Sequence, residues 1–411
     1  MVPNWRSRGD ADYRRERIVM GQKSANHLPP LRYAHPFFTA TPVSARAVSQ
    51  ATGTRRMAEY DSKKLGPIPC PSRAPIMDLE DIIGDEGVAE IRNTGSIRFH
   101  VVGDTGGGDG TPQVQVAEAM ESDYEPSAAG RNPALLIHLG DVIYGPDKAK
   151  LYRDDFYEPY MEYPGKIVAI PGNHDGETFK DSDPKSLKAF RKNFCAREAV
   201  VPKIASDVRI FRQTMTQPGV YWRLRCPFVN IIGLYSNIAS GPGNLLGAKR
   251  DDQQIEWLTK TLTSLSDGED KRALVIATHH PPFNSGRKGS SEKMLAQIDN
   301  ACAAAGVFPH AMLAGHTHNY QRYTRTIGMD AGSYQVPCIV AGCGGRADSS
   351  VEEPTGERKG DVVYERSRKG FGYLMLTVSS NRLMIDMYAV TDEGKTLFDG
   401  VAVDIAGHRL V

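Results

Sequence analysis

The sequence predicts a layered α/β fold, and three observations point to it. Five near-continuous apolar runs of strand length occur at 97–103, 134–140, 167–172, 273–278 and 311–315. Such runs are the pattern of strands buried on both faces. The first half of the chain alternates these runs with helical stretches and the second half is rich in strands, an order that suits layered α/β packing. Each run also stops at polar, metal-competent residues: Asp104, Asp141, Asn173-His174, His279-His280 and His316-Thr317-His318. Strands running the same way bring their carboxyl ends to one edge of a sheet, where α/β folds place ligands.

The elements follow in order. Residues 1–75 carry 13 Lys/Arg against 5 Asp/Glu, a net of +8 in a chain whose total is +1. They show no sustained period of 2 or 3.6, which predicts a basic, flexible or loosely packed extension, with packing along the main domain or against a partner subunit as the alternative. Its aromatics do not interleave with its basic residues, so a nucleic-acid arm is not expected. Arg14-Arg15 lacks the apolar stretch that a twin-Arg signal needs. The main domain is expected to span 76–411. Thr111-Pro112 reads as an N-cap and N1 pair opening a helix to Met120. Helices are expected at 147–160, 184–195, 250–266 and 291–305, the third from Ile255, Leu258 and Leu262 at helical spacing. Strands are expected at 219–225, 228–235, 336–341, 373–379, 383–389 and 398–404, and no regular strand before residue 95. His100 and His138 lie inside apolar runs and read as sheet histidines.

Composition bounds the function. A net charge of +1 gives no global field toward nucleic acid or membrane. No stretch of about 18 apolar residues is present, so no transmembrane helix is read. The chain as given therefore reads as cytoplasmic, or as periplasmic or secreted if its N-terminus is incomplete. Six scattered Cys without Cys-x-x-Cys read as reduced structural thiols. Gly106-Gly107-Gly108 is not followed by Gly-Lys-Ser/Thr, which excludes a nucleotide P-loop.

The strand ends offer Asp104, Asp141, Asn173, His279, His316 and His318. Carboxylate oxygens suit hard cations and imidazoles suit iron, zinc and manganese. Two His at i and i+2 on a strand end serve two adjacent metals more readily than one. Two metals about 3.5–4 Å apart can clamp both oxygens of an in-line phosphoryl displacement. His280 could replace His279 as a ligand.

The blocks Gly103-Asp104-Thr105-Gly106, Gly140-Asp141-Val142-Ile143-Tyr144, Gly172-Asn173-His174-Asp175, His279 and Gly315-His316-Thr317-His318 resemble the calcineurin-like metallophosphoesterase superfamily, and within it the purple acid phosphatases. Most of the superfamily has a His where Gly106 stands. The purple acid branch replaces that ligand with the Tyr of its second block, here Tyr144.

The resemblance implies a four-layer α-β-β-α sandwich of two mixed sheets, with a dinuclear metal site at the strand C-terminal edge. It implies Fe(III) on Asp104, Tyr144 and His318, a second ion (Zn, Fe(II) or Mn) on Asn173, His279 and His316, and Asp141 bridging. It implies that His174, oriented by Asp175, assists catalysis while a metal-bound hydroxide attacks a small phosphoester. His280, Arg287 and Lys288 are expected substrate-binding residues. Arg287 and Lys288 stand where relatives commonly carry His; they offer fixed cations for phosphate and would not act as acids at low pH, so the resemblance does not fix the pH optimum. The expected activity is phosphomonoester hydrolysis. The alternative is a phosphodiesterase, on cyclic nucleotides or other diesters, with the same metals. A third possibility is a catalytically silent metal- or phosphate-binding protein.

Overall fold

The computed structural model describes residues 31–34, 65–106, 110–145, 148–178, 186–206, 210–266, 271–286, 288–329, 332–354 and 356–411. Most of the expected extension, residues 1–30 and 35–64, lies outside these.

Two mixed sheets carry the fold. The seven-stranded sheet runs β16-β15-β14-β13-β2-β3-β4, and the nine-stranded sheet runs β1-β5-β6-β7-β8-β10-β9-β12-β11. In the first, β2 (Ser96–Val102), β3 (Leu135–His138) and β4 (Lys166–Ala169) are parallel, and β13 (Phe371–Ser379), β14 (Arg382–Thr391) and β15 (Gly394–Asp404) add on antiparallel. In the second, β6 (Val229–Gly233), β7 (Ala273–Thr278), β8 (Ala311–Ala314) and β10 (Gly332–Ala341) are parallel. The strands β1 (Ile76–Asp78), β5 (Trp222–Arg225), β9 (Tyr320–Met329), β11 (Arg358–Lys359), β12 (Val362–Arg368) and β16 (Arg409–Leu410) complete the sheets.

The unbroken apolar runs are explained by three apolar layers. Between the sheets, Phe99 and Ile137 pack with Val275 and Leu313. Outside the seven-stranded sheet, Leu136 and Ile167 meet Val116 and Met120 of the helix Thr111–Glu121. Outside the nine-stranded sheet, Leu274, Ile276 and Met312 meet Leu258 and Leu262 of the helix Gln253–Ser266 and Ile298 of Glu292–Ala305. Alternate residues of one strand therefore enter different layers, and both must be apolar. The result is the four-layer sandwich.

Several elements differ from expectation. A strand does precede residue 95, because Ile76–Asp78 pairs in parallel with β5. The helix Leu79–Thr94 is interrupted at Gly84 (φ 79°), which hides its period. The stretch expected as one helix at 147–160 is an α-helix, Lys148–Tyr152, continued by a π turn, Arg153–Tyr157. The described parts of the extension are packed: Arg32 donates to the Gly87 carbonyl and the Glu90 carboxylate (both 2.9 Å), and Ile68 is buried. All six Cys are free thiols. Among the described residues, no helix is long and apolar enough to cross a membrane.

Candidate metal centre

The loops after β2, β3, β4, β7 and β8 converge, and their backbones are strained where they do. Asp104, Asp141 and His316 hold φ of 58°, 53° and 70°. Such conformations cost non-Gly residues on the order of 1–3 kcal/mol each and persist where surrounding bonds over-determine them. Those bonds are present. The His316 N–H donates to Asp104 Oδ2 (2.7 Å), the Asp104 N–H to the Gly140 carbonyl (3.0 Å) and the His174 N–H to Asp141 Oδ1 (2.8 Å).

The side chains form two groups. In the first, the Tyr144 hydroxyl donates to Asp104 Oδ1 (3.1 Å), and His318 Nε2 lies 3.4 Å from both. In the second, Asn173 Oδ1 lies 2.9 Å from His316 Nδ1 and 3.2 Å from His279 Nε2, and those two nitrogens are 3.2 Å apart. Outer nitrogens fix the rings: His279 Nδ1–H donates to the Leu139 carbonyl (2.8 Å) and His318 Nδ1–H to that of Ala347 (2.9 Å). A ligating His is normally held this way. Asp141 Oδ2 sits 3.3 Å from His279 Nε2, buried and without a hydrogen-bond partner. The ligand atoms of Asp141, His279 and His316 lie within 4.8 Å of one another. A buried orphan carboxylate oxygen beside two imidazole nitrogens and an amide oxygen is a donor set for a cation.

Without a cation, the buried carboxylates draw protons onto the neighbouring rings, so an ion entering the cluster would have to displace them. Burial opposes the charge on His279, but Asp141, Asp104 and the Leu139 carbonyl outweigh it and lift the ring to about 9. Burial raises Asp141, yet His279, His174 and Lys288 hold it well below the usual carboxylate range. Burial, then Asp104 and Asp141, push the Tyr144 phenol well above 10. Only a strongly Lewis-acidic ion would displace that proton.

Gly106 is closed to any side chain. A Cβ there would stand 2.4 Å from the Val142 carbonyl oxygen and 3.0 Å from Ile143 Cα. The loop that delivers Tyr144 occupies the space that a His at 106 would need.

The remaining expected residues divide. His174 Nδ1–H donates to Glu177 (2.9 Å), its Nε2 lies 3.9 Å from Asp141 Oδ2, and its ring is 4.5 Å from that of Tyr144. The expected orienting carboxylate, Asp175, accepts instead from the Gly172 (2.8 Å) and Val142 (3.3 Å) N–H groups, so it ties two ligand loops together. Both ring nitrogens of His280 are engaged, with Ser236 Oγ and the Ala239 carbonyl (2.7 Å each), which leaves neither for substrate or metal. It packs 4.3 Å from the His316 ring as a support. Lys288 Nζ donates to the His316 carbonyl. Arg287 lies outside the described residues.

Three functional neighbours escaped the sequence reading. Glu177 is one; its signal was its position three residues after His174. Buried His138 is another. The Gly140 N–H donates to its Nδ1 (3.2 Å), so its Nε2–H faces Thr105 Oγ1 (2.9 Å), and one ring joins the Asp104 and Asp141 loops. The third is Arg346, whose Cζ lies 4.3 Å over the Tyr144 ring.

A sequence model of the calcineurin-like phosphoesterase family matches residues 97–320. No curated protein sequence matches the chain. Among solved structures, GAP50, the anchor in the inner membrane complex of Plasmodium, is 13% identical with a TM-score of 0.51, covering 74% of this chain and 87% of its own. PhoD is 14% identical at a TM-score of 0.47, covering 84% and 73%. A dimetal phosphatase from Danio rerio is 12% identical at 0.41, covering 75% and 99%. The first of these shares the fold.

Proposed function

Because this chain belongs to the calcineurin-like phosphoesterase family, whose fold implies a dinuclear metal site, we propose that it is a phosphatase of the purple acid type, hydrolysing phosphomonoesters. The observation that carries this reading is the meeting of Tyr144, Asp104 and His318 beside a Gly106 that admits no side chain. That combination supports the tyrosine-containing branch over the histidine-containing one.

Asp104, Tyr144 and His318 would hold Fe(III), Asn173, His279 and His316 would hold Zn, Fe(II) or Mn, and Asp141 would touch both. When bound, such a pair supplies Lewis acidity and a deprotonated nucleophile at moderate pH. The chain's own groups do the rest. His174, with its Nδ1–H donating to Glu177, presents Nε2 to a phosphate oxygen or to the leaving alcohol oxygen. Asp175 keeps the Asn173 and Tyr144 loops in register. Lys288 adds a fixed positive charge beside the second group.

The test is metal analysis of purified protein with a comparison of aryl phosphate and bis-aryl phosphate. Two metals per chain, a visible tyrosinate-to-iron band and faster monoester turnover are expected. A large preference for the diester sinks the monoesterase reading in favour of a phosphodiesterase. A colourless, iron-free and fully active enzyme sinks the ferric assignment.

A further inference from the structure

We propose that Arg346 binds a non-bridging oxygen of the substrate phosphate and thereby selects doubly charged monoesters over singly charged diesters, an inference that rests on the phosphatase reading above. The fold brings it there. β10 runs parallel to β8 with Val340 beside Ala314, so the chain leaving Ala341 emerges at the same edge as His316 and His318. The loop is pinned to the first ligand group at two points. The Arg346 N–H donates to the Asp104 carbonyl and the Ser349 N–H to the His318 carbonyl, both 2.9 Å.

The side chain rests on a ring, and among the described residues its donors reach no acceptor. Its Cζ lies 4.3 Å over the ring of Tyr144, whose ring also lies 4.5 Å from that of His174. Among the described residues, no carboxylate or carbonyl accepts from the Arg346 guanidinium. A guanidinium held over a ring by cation–π attraction still has N–H groups to offer, and its fork matches two phosphate oxygens. A half-buried guanidinium over the ring of a first-group residue, with no carboxylate on it among the described residues, is therefore placed for an anion at this edge. A dianionic monoester gains more from this added cation than a monoanionic diester does.

Bracing Tyr144 is the competing role, and the experiment separates the two. Arg346→Met keeps packing on the ring and removes the fork; Arg346→Lys keeps charge without the fork. The readouts are the inhibition constant of inorganic phosphate, KM and kcat for aryl phosphate and bis-aryl phosphate, and metal content. For Arg346→Met, the phosphate inhibition constant and the monoester KM should rise roughly 10- to 100-fold, with monoester kcat and diester KM changing by no more than about threefold. Metal content should stay at the wild-type value, and Arg346→Lys should recover part of the phosphate affinity. Unchanged phosphate affinity, equal losses on both substrates, or loss of metal from the first group would overturn the proposal. If the wild-type protein turns over no phosphoester, the phosphatase reading has failed instead. Calorimetry with inorganic phosphate on the metal-loaded proteins then still decides Arg346, since equal affinities in wild type and Arg346→Met reject it.

Discussion

The two sheets contribute unlike halves of the centre. Every oxygen donor of the cluster (Asp104, Asp141, Tyr144 and Asn173) follows a strand of the seven-stranded sheet, and every nitrogen donor (His279, His316 and His318) follows a strand of the nine-stranded sheet. They are also held differently. The two aspartates sit on strained backbone and accept from backbone N–H groups, whereas His279 and His318 are aimed through their outer ring nitrogens. Each ligand group mixes both kinds: the first has two oxygens and one nitrogen, the second one oxygen and two nitrogens. The difference teaches that neither sheet alone can make the site. It exists where the sheets dock, and His279 Nδ1–H reaching across to the Leu139 carbonyl is one of the bonds that set this docking.

The largest break should come at Asp141, the residue proposed to touch both ions. Asp141→Ala should abolish binding of both metals and lower kcat/KM by at least about 10³-fold, the upper end for losing one group that stabilises transition-state charge. Metal analysis beside a phosphoester assay checks it. A variant that keeps two metals would remove Asp141 from the bridging position.

The next pair separates the groups from each other. Tyr144→Phe should lose one metal equivalent and the visible band, with activity down about 10²- to 10³-fold. Asn173→Ala should lose the other equivalent while the colour remains. The assignment fails if the colour follows Asn173 instead of Tyr144.

A smaller effect should come from His138, which touches no proposed metal. His138→Leu leaves Thr105 Oγ1 and the Gly140 N–H without their partner and unties the Asp104 loop from that of Asp141. Loss of such outer support typically costs 10- to 100-fold in metal affinity or activity, so a drop of about that size is expected. Metal titration reads it directly, and unchanged affinity would mean that the backbone bonds alone suffice to hold the oxygen side.

Much of this was legible in the chain, and for a physical reason. A strand buried on both faces must be apolar throughout, so the abrupt polar residues at 104, 141, 173, 279 and 316 stand out. The parallel arrangement then forces them to one edge. Supporting residues carry no such contrast. His138 reads as one more residue of an apolar run, although it faces Thr105. His280 reads as a ligand beside His279, yet the neighbouring positions point apart, and its nitrogens go to Ser236 and Ala239. β9 and β12 hide because they lie toward the edge of the nine-stranded sheet, where half their residues are polar. Arg346 lies among solvated charges in the sequence, and only the pairing of β10 with β8 shows where it emerges.

The smallest expected effect tests the docking of the sheets at the end away from the metals. His310 precedes β8, whose other end leads to His316, and it stacks on His408 from the turn after β15 (4.2 Å, 7°). His408 also stacks on Tyr334 (4.1 Å, 11°) and donates from Nε2–H to the Pro309 carbonyl (2.8 Å), while His310 donates to that of Ile405 (3.1 Å). Burial lowers both rings, and burial together with the charge of His310 takes His408 down to about 4. The folded state therefore keeps this pair neutral at pH values where the unfolded chain, titrating near 6.5, takes up protons. Their stabilisation is complete above about pH 6.5 and is lost as the pH falls from there toward 4. His408→Asn, which tolerates the local φ of 50°, should flatten the fall in melting temperature over that window. If sheet docking maintains the centre, metal release on acidification should begin at a higher pH in wild type than expected from global unfolding, and His408→Asn should shift that onset. Metal that stays bound until the whole chain unfolds, in both proteins, would instead place the cohesion of the centre in its ligands and the loops that carry them.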